Sequence, residues 1–294
     1  MRVRSLLAVL PLFATACTLL FPLDGLGTAQ PSDAGADANA IDDASDAAPA
    51  DAGDAAPADA AAGDASVDAA QGRYATEVLA DGPVLYLRLG EKAGPDARDE
   101  TQQRSPTYGG GVTFGAPGAI MNDPDTAVSF SGSPGSSLAL PPGLDFPGKA
   151  PFTVEVWARR TANNPYGWAI DHQTYMNRNG WSLRFAMDSI AFERWSSSND
   201  LSGTATPSPL QANTYQHVVA TFDGAAMVLY VDNKLITSGT SNLSMNPMTT
   251  TWSLGAQNCA CSVANFTGSL DEFAVYDKAL SAARIDAHYH ASGR

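Results

Sequence analysis

The sequence predicts an all-β, two-sheet antiparallel sandwich over residues 72–294. Three observations carry that prediction. Apolar runs of four to nine residues recur through this stretch, separated by clusters of Gly, Pro, Asn, Asp and Ser. The runs are rich in β-branched and aromatic residues and too short for helices. Only 281–290 reads as a helix, too little to flank a parallel sheet.

Taken in order, strands are predicted at 84–89, 127–130, 137–140, 152–159, 168–171, 181–185, 190–195, 215–222, 227–231, 234–237, 252–254 and 269–276. In the fourth, Phe152, Val154, Val156 and Ala158 share one face, and Thr153, Glu155, Trp157 and Arg159 share the other. The stretch 215–222 alternates less cleanly, as in a strand covered on both sides. Asp223-Gly224 and then Asp232-Asn233 turn the chain into two consecutive hairpins; Asn tolerates the left-handed backbone of a tight turn. The last strand is expected to carry Leu270, Glu272, Ala274 and Tyr276 on one face and Asp271, Phe273, Val275 and Asp277 on the other. Two adjacent acids in an apolar strand are costly to bury, so they call for a cation, a salt bridge or exposure at an edge. Ser281 suits the N-cap of the closing helix.

Ahead of the sandwich the composition changes. The net charge is −14, and −10 of it falls in residues 31–70, which hold 18 Ala, 10 Asp and no Lys or Arg. The absence of clustered positive charge argues against a nucleic-acid partner. This tract has no apolar face to bury, and residues 17–71 are expected to form a disordered linker. As a flexible coil, it would carry the domain on the order of 40 Å from an anchor. Residues 1–16 read as an export signal: Arg2 and Arg4 precede an apolar run over 6–16. Ala14-Thr15-Ala16-Cys17 resembles a bacterial lipobox, which implies lipidation of Cys17. Thr18 after the cysteine implies sorting to the outer membrane. Gly27-Thr28-Ala29 offers an alternative cleavage site that would yield a secreted protein, and 6–23 offers an uncleaved anchor at the lower limit for a bilayer span. With Cys17 lipidated, Cys259 and Cys261 remain as a pair, and export makes a disulfide between them the expectation.

The order of segments resembles a known family. Phe152-Thr-Val-Glu-Val-Trp, Tyr215-Gln-His-Val-Val-Ala-Thr-Phe-Asp-Gly, Leu229-Tyr-Val-Asp-Asn-Lys-Leu and Phe266-Thr-Gly-Ser-Leu-Asp-Glu-Phe-Ala-Val-Tyr follow one another as in laminin-G-like, concanavalin A-like jelly-roll domains of secreted bacterial proteins. Val84-Leu-Tyr-Leu-Arg-Leu-Gly-Glu, Asp99 and Ala127-Val-Ser-Phe-Ser-Gly extend the likeness over nearly all of 74–291. Asn233 stands where these domains commonly have Gly. The resemblance implies two stacked sheets and, in many members, a structural calcium. Carried onto this chain, its ligands would be Asp99, Asp271 and Glu272. The alternative is that Asp99 caps a turn and Asp271 pairs with an arginine.

A carbohydrate site is read from the aromatic and polar stretch that includes Tyr166, Trp168, Asp171, His172, Tyr175 and Arg178, since sugar rings stack on aromatics while polar groups bond their hydroxyls. The competing reading makes the tryptophans packing residues. Catalysis is not expected: Glu155 and Glu193 stand alone on their strands, no Gly-x-Ser-x-Gly elbow occurs, and His288 and His290 lie on different helical faces. The expected function is a surface-tethered, non-catalytic binding module for a glycan or another extracellular polymer. The alternatives are a structural or adhesive envelope protein with an extracellular protein partner and, behind it, a glycoside hydrolase.

Overall fold

The computed structural model describes residues 72–162, 167–174, 178–186, 189–196, 200–207, 210–258 and 265–294. Helix α1 (Arg73–Ala80) comes first, followed by β1 (Leu85–Leu87), β2 (Thr107–Tyr108), β3 (Val112–Pro117), β4 (Thr126–Ser131) and β5 (Leu138–Leu140). Then come β6 (Phe152–Arg160), β7 (Trp168–Gln173), β8 (Gly180–Phe185), β9 (Ser189–Trp195) and β10 (Leu201–Pro207). The chain closes with β11 (Tyr215–Phe222), β12 (Ala226–Val231), β13 (Lys234–Thr240), β14 (Trp252–Leu254), β15 (Thr267–Tyr276) and helix α2 (Ala282–Ala291).

The strands form two antiparallel sheets, as expected for a concanavalin A-like jelly roll. One runs β13-β12-β11-β6-β15-β4-β3, with β1 also pairing β15; the other runs β10-β9-β8-β7-β14-β5-β2. The alternation read in β6 holds. Phe152, Val154, Val156 and Ala158 enter the core between the sheets, against residues such as Trp181, Leu183, Phe192 and Trp252 of the opposite sheet. The other face of β6 is not solvated. The two helices cover it, and Glu155 and Trp157 are fully buried there. Tyr74 and Val78 of α1 and Ile285 and Ala291 of α2 pack with Trp157, Val219 and Tyr276 in this second layer. Arg284 ties the helices together through Glu77 and Asp81, each at 2.8 Å. Among the described residues no helix is long and apolar enough to cross a membrane.

Two expectations are corrected. Strict alternation in the last strand fails, because Glu272 adopts a left-handed φ of 49° and the register with β6 shifts between Asp271 and Ala274. This is a β-bulge, one extra residue that resets which side chains face inward. Leu270, Phe273 and Val275 enter the core, while Ala274 and Tyr276 face the helices. Helix α1 and strands β2, β3 and β10 also lie outside the predicted elements. β3 and β10 are edge strands with mostly exposed or half-buried residues, so their sequences carry little apolar signal. The two hairpin turns are as expected, with Asp232 and Asn233 both left-handed.

Candidate ligand-binding face

The residues carried over as calcium ligands are held apart by other work. Asp99 folds back on the turn after β1: its carboxylate accepts from Thr101 N at 3.0 Å, Thr101 Oγ1 at 2.8 Å, Gln103 N at 3.2 Å, Arg104 N at 3.0 Å and Tyr86 N at 3.2 Å. Glu272 accepts from the Tyr86 hydroxyl and from Arg88 Nε and Nη2, both at 3.1 Å. Arg88 also pairs with Asp123 at 2.8 Å and Asp125 at 3.1 Å. Among the described residues no three His, Cys, Asp or Glu side chains come together to hold a metal. The donor set does not fit calcium. The positive charge among these acids is a guanidinium, and it faces Glu272 rather than Asp271. Asp271 Oδ2 accepts from Ala119 N at 2.7 Å. Burial pushes the carboxyls of Asp271 and Glu272 up, Glu272 to about 8 against the pull of Arg88 and Tyr86.

The predicted sugar-binding residues divide. His172 points into the core. It stacks on Trp181 with ring centroids 5.1 Å apart, sits 4.9 Å from Trp252, and its Nε2 lies 2.8 Å from Gly143 O. It is a packing residue, because the period of β7 turns it inward opposite Trp181. Trp168, Asp171 and Arg178 belong instead to the outer side of the seven-stranded sheet. Tyr166, Tyr175, Cys17, Cys259 and Cys261 lie outside the described residues.

That outer side is assembled by register. Ser253, Asp171, Ser182, Glu193 and Gly203 are successive cross-strand partners on β14, β7, β8, β9 and β10. On one flank Trp168 pairs with Arg184, whose guanidinium lies 5.3 Å from the indole centroid. On the other flank Gln173, Gly180 and Trp195 pair in turn, and Arg178 lies 4.8 Å from the Trp195 ring. Glu193 is held at both oxygens, by Arg184 at 2.5 Å and 3.3 Å and by Ser182 at 3.3 Å. Asp171 accepts from Asn258 N at 2.6 Å through Oδ2. Burial, with Glu193 nearby, pushes the Asp171 carboxyl up to about 7. Among the described residues, Asp171 Oδ1, Gln173 Nε2 and Trp195 Nε1 are buried without a hydrogen-bond partner. Buried polar atoms are usually paired, and three of the unpaired ones in the described residues share this face, while others lie in the core and on the helical side.

Sequence reading missed Ser182, Arg184, Glu193 and Trp195. Alternation along β8 and β9 sets them opposite the core residues Leu183, Phe185, Ile190 and Phe192, but only strand order places them beside Asp171. It also missed a buried charge on the helical side. Glu155 accepts from Tyr74 Oη at 2.7 Å and Tyr276 Oη at 2.9 Å, and its carboxylate meets His217 Nε2 at 2.7 Å and His288 Nδ1 at 3.0 Å. Burial opposes this charge, but His288 and His217 outweigh it and hold the carboxyl well below its usual range. His288 is raised in turn, Glu155 overcoming burial.

Comparison with known proteins bears on the fold. No curated protein matches the chain significantly. The binding domain of Paraclostridial Mosquitocidal Protein 1 is similar in structure, with a TM-score of 0.59 and 15% identity over 72% of this chain and 52% of that one. The ligand binding domain of botulinum neurotoxin serotype D, solved in complex with N-acetylneuraminic acid, gives 0.57 and 17% over 74% of this chain and 52% of that one. The binding domain of botulinum neurotoxin DC, solved in complex with SialylT, gives 0.57 and 17% over 72% and 52%. This chain thus spans about half the length of the structures it matches. At these identities the likeness concerns the fold alone. A sequence profile of the concanavalin A-like lectin/glucanases superfamily matches residues 131–286, more than half of the chain, and the chain belongs to that superfamily.

Proposed function

We propose that the domain is a non-catalytic glycan-binding module whose ligand completes the outer face of the seven-stranded sheet. One observation carries the reading: Asp171 Oδ1, Gln173 Nε2 and Trp195 Nε1, all buried and without a partner among the described residues, share that face with two arginines over tryptophan rings. Acceptors and donors together are what a sugar's hydroxyls require. Two of the similar toxin binding domains are solved with N-acetylneuraminic acid or SialylT, which supports a glycan as ligand. We further propose that Cys17 anchors the chain by lipid at the outer membrane and that residues 17–71 act as the stalk.

Asp171 and Glu193 share a row two strands apart, about 10 Å between backbones. Hydrolysis takes two working carboxylates, and with Glu193 fixed by Arg184 and Ser182 only Asp171 is left to act, which favours binding over hydrolysis. The test is a glycan array probed with the full chain, sialylated and neutral glycans included. Saturable binding that falls at least tenfold in Trp195→Ala and Gln173→Ala is expected. Absence of any glycan ligand, or unchanged binding in both variants, refutes the reading, and release of reducing sugar moves the protein to the hydrolases.

A further inference from the structure

The outer side of the other sheet carries a cleft of a different chemical character, independent of the glycan face. The end of β6, the turn ahead of β11 and the segment after β3 enclose an open cleft of about 370 Å³, lined among others by Gly118, Arg159, Asn213, Thr214, Tyr215 and Arg294. That is at the lower end of small-molecule sites, about 300–1,000 Å³. We propose that this cleft is a second binding site, for a single oxyanion carried on a sugar: a carboxylate or a sulfate ester.

Among the described residues the lining includes two arginine side chains and no acidic one, with Asp271 buried behind Gly118. The surrounding domain has an excess of acids, and four of its other arginines, Arg88, Arg98, Arg184 and Arg284, meet a carboxylate, while Arg160 and Arg194 are spent on backbone carbonyls and a hydroxyl. Arg159 and Arg294 form no ion pair among the described residues. Both are nevertheless held in place. Arg159 Nε donates to Asn213 O at 3.2 Å. Arg294 Nη2 donates to Ala119 O at 2.9 Å, and its guanidinium lies 5.2 Å from the Trp157 ring centroid. Each guanidinium spends one of its five N–H groups on a backbone carbonyl and leaves the rest to a ligand. The main-chain oxygen of Arg294 is turned to His290 Nδ1 at 3.1 Å. The Tyr215 hydroxyl is used up on Pro117 O at 2.8 Å, so its ring supplies wall rather than charge. Asn213 and Thr214 are exposed at the rim and offer the polar groups that sugar hydroxyls take. A pair of guanidinium forks fixed before binding suits an oxyanion, since the ordering cost is already met.

Isothermal titration of the full chain with four probes tests this: tri-galacturonate, its methyl ester, galactose 6-sulfate and inorganic sulfate. Binding of tri-galacturonate or galactose 6-sulfate is expected, weakening with salt, with no binding of the ester. Which acid binds identifies the oxyanion. Arg159→Gln with Arg294→Gln should lower affinity at least tenfold while the melting temperature is kept, and Arg159→Lys should lower it in part. Trp195→Ala should leave this binding intact, so loss of the glycan face and loss of the cleft are separate results. Equal binding of acid and ester, no binding of either acid, or unchanged affinity in the double variant overturns the proposal. So does inorganic sulfate binding as tightly as the sugar acids, which would make the cleft a site for an adventitious ion only.

Discussion

Replacing Glu155 by glutamine removes the charge on which both helices are latched to the sheet. Tyr74 of α1 donates to this carboxylate, and His288 of α2 lies 3.0 Å from it. The site is fully buried, so the variant cannot recover by hydration. The glutamine amide would also turn an N–H pair toward groups that are themselves donors: the hydroxyls of Tyr74 and Tyr276 and the imidazoles of His217 and His288. Breaking a buried pair by removing one partner costs about 3–5 kcal/mol. For a domain of 150–250 residues, that corresponds to a fall in melting temperature of about 6–20 °C. Thermal and urea unfolding at pH 6 measure it, and a cycle with Tyr74→Phe tests whether the two residues act as a unit. A loss below about 1 kcal/mol, or strict additivity with Tyr74→Phe, would refute the view of Glu155 as the latch.

The domain should melt at a higher temperature at pH 5 than at pH 8. Asp171 and Glu272 are raised from 3.8 to about 7 and from 4.5 to about 8, so the folded state holds their protons and its stability declines across those windows as pH rises. His288, raised above 6.5, acts in the same direction, while the depressed Glu155 loses its contribution only as pH falls below 4.5. A melting temperature that climbs steadily from pH 5 to 8 contradicts this. At pH 9, where Glu272 is ionised, Arg88→Met should destabilise by about 3–5 kcal/mol, because Asp123 and Glu272 are then left without a cation. Adding EDTA to the wild type should leave its melting curve unchanged, and a calcium-dependent rise of several degrees would restore a metal to this site. Gly255→Ala should cost about 2–5 kcal/mol in urea unfolding. Gly255 sits at a left-handed φ of 80°, and a Cβ there would lie 2.2 Å from the Phe130 ring.

Some of this was written locally in the chain. The inward set of β6 follows from a period of two, and the turn at Asp232-Asn233 from residues that tolerate left-handed backbone. Each depends only on neighbours in sequence, so a single chain displays it. The bulge at Glu272 does not. It is fixed by a partner strand that begins more than a hundred residues earlier, and it undid the expected faces of the last strand.

The sequence alone therefore determined the sandwich, its main strands and the mildly acidic character of the domain beside a strongly acidic tract. Tertiary structure decided what its charges do. Arg88 stands beside Glu272 of β15, His172 packs while Asp171 faces outward, and Glu193 becomes a neighbour of Asp171. Side-chain alternation is a local property, whereas strand order and register bring distant residues into one row, and a buried charge is resolved only by whatever partner the fold places against it.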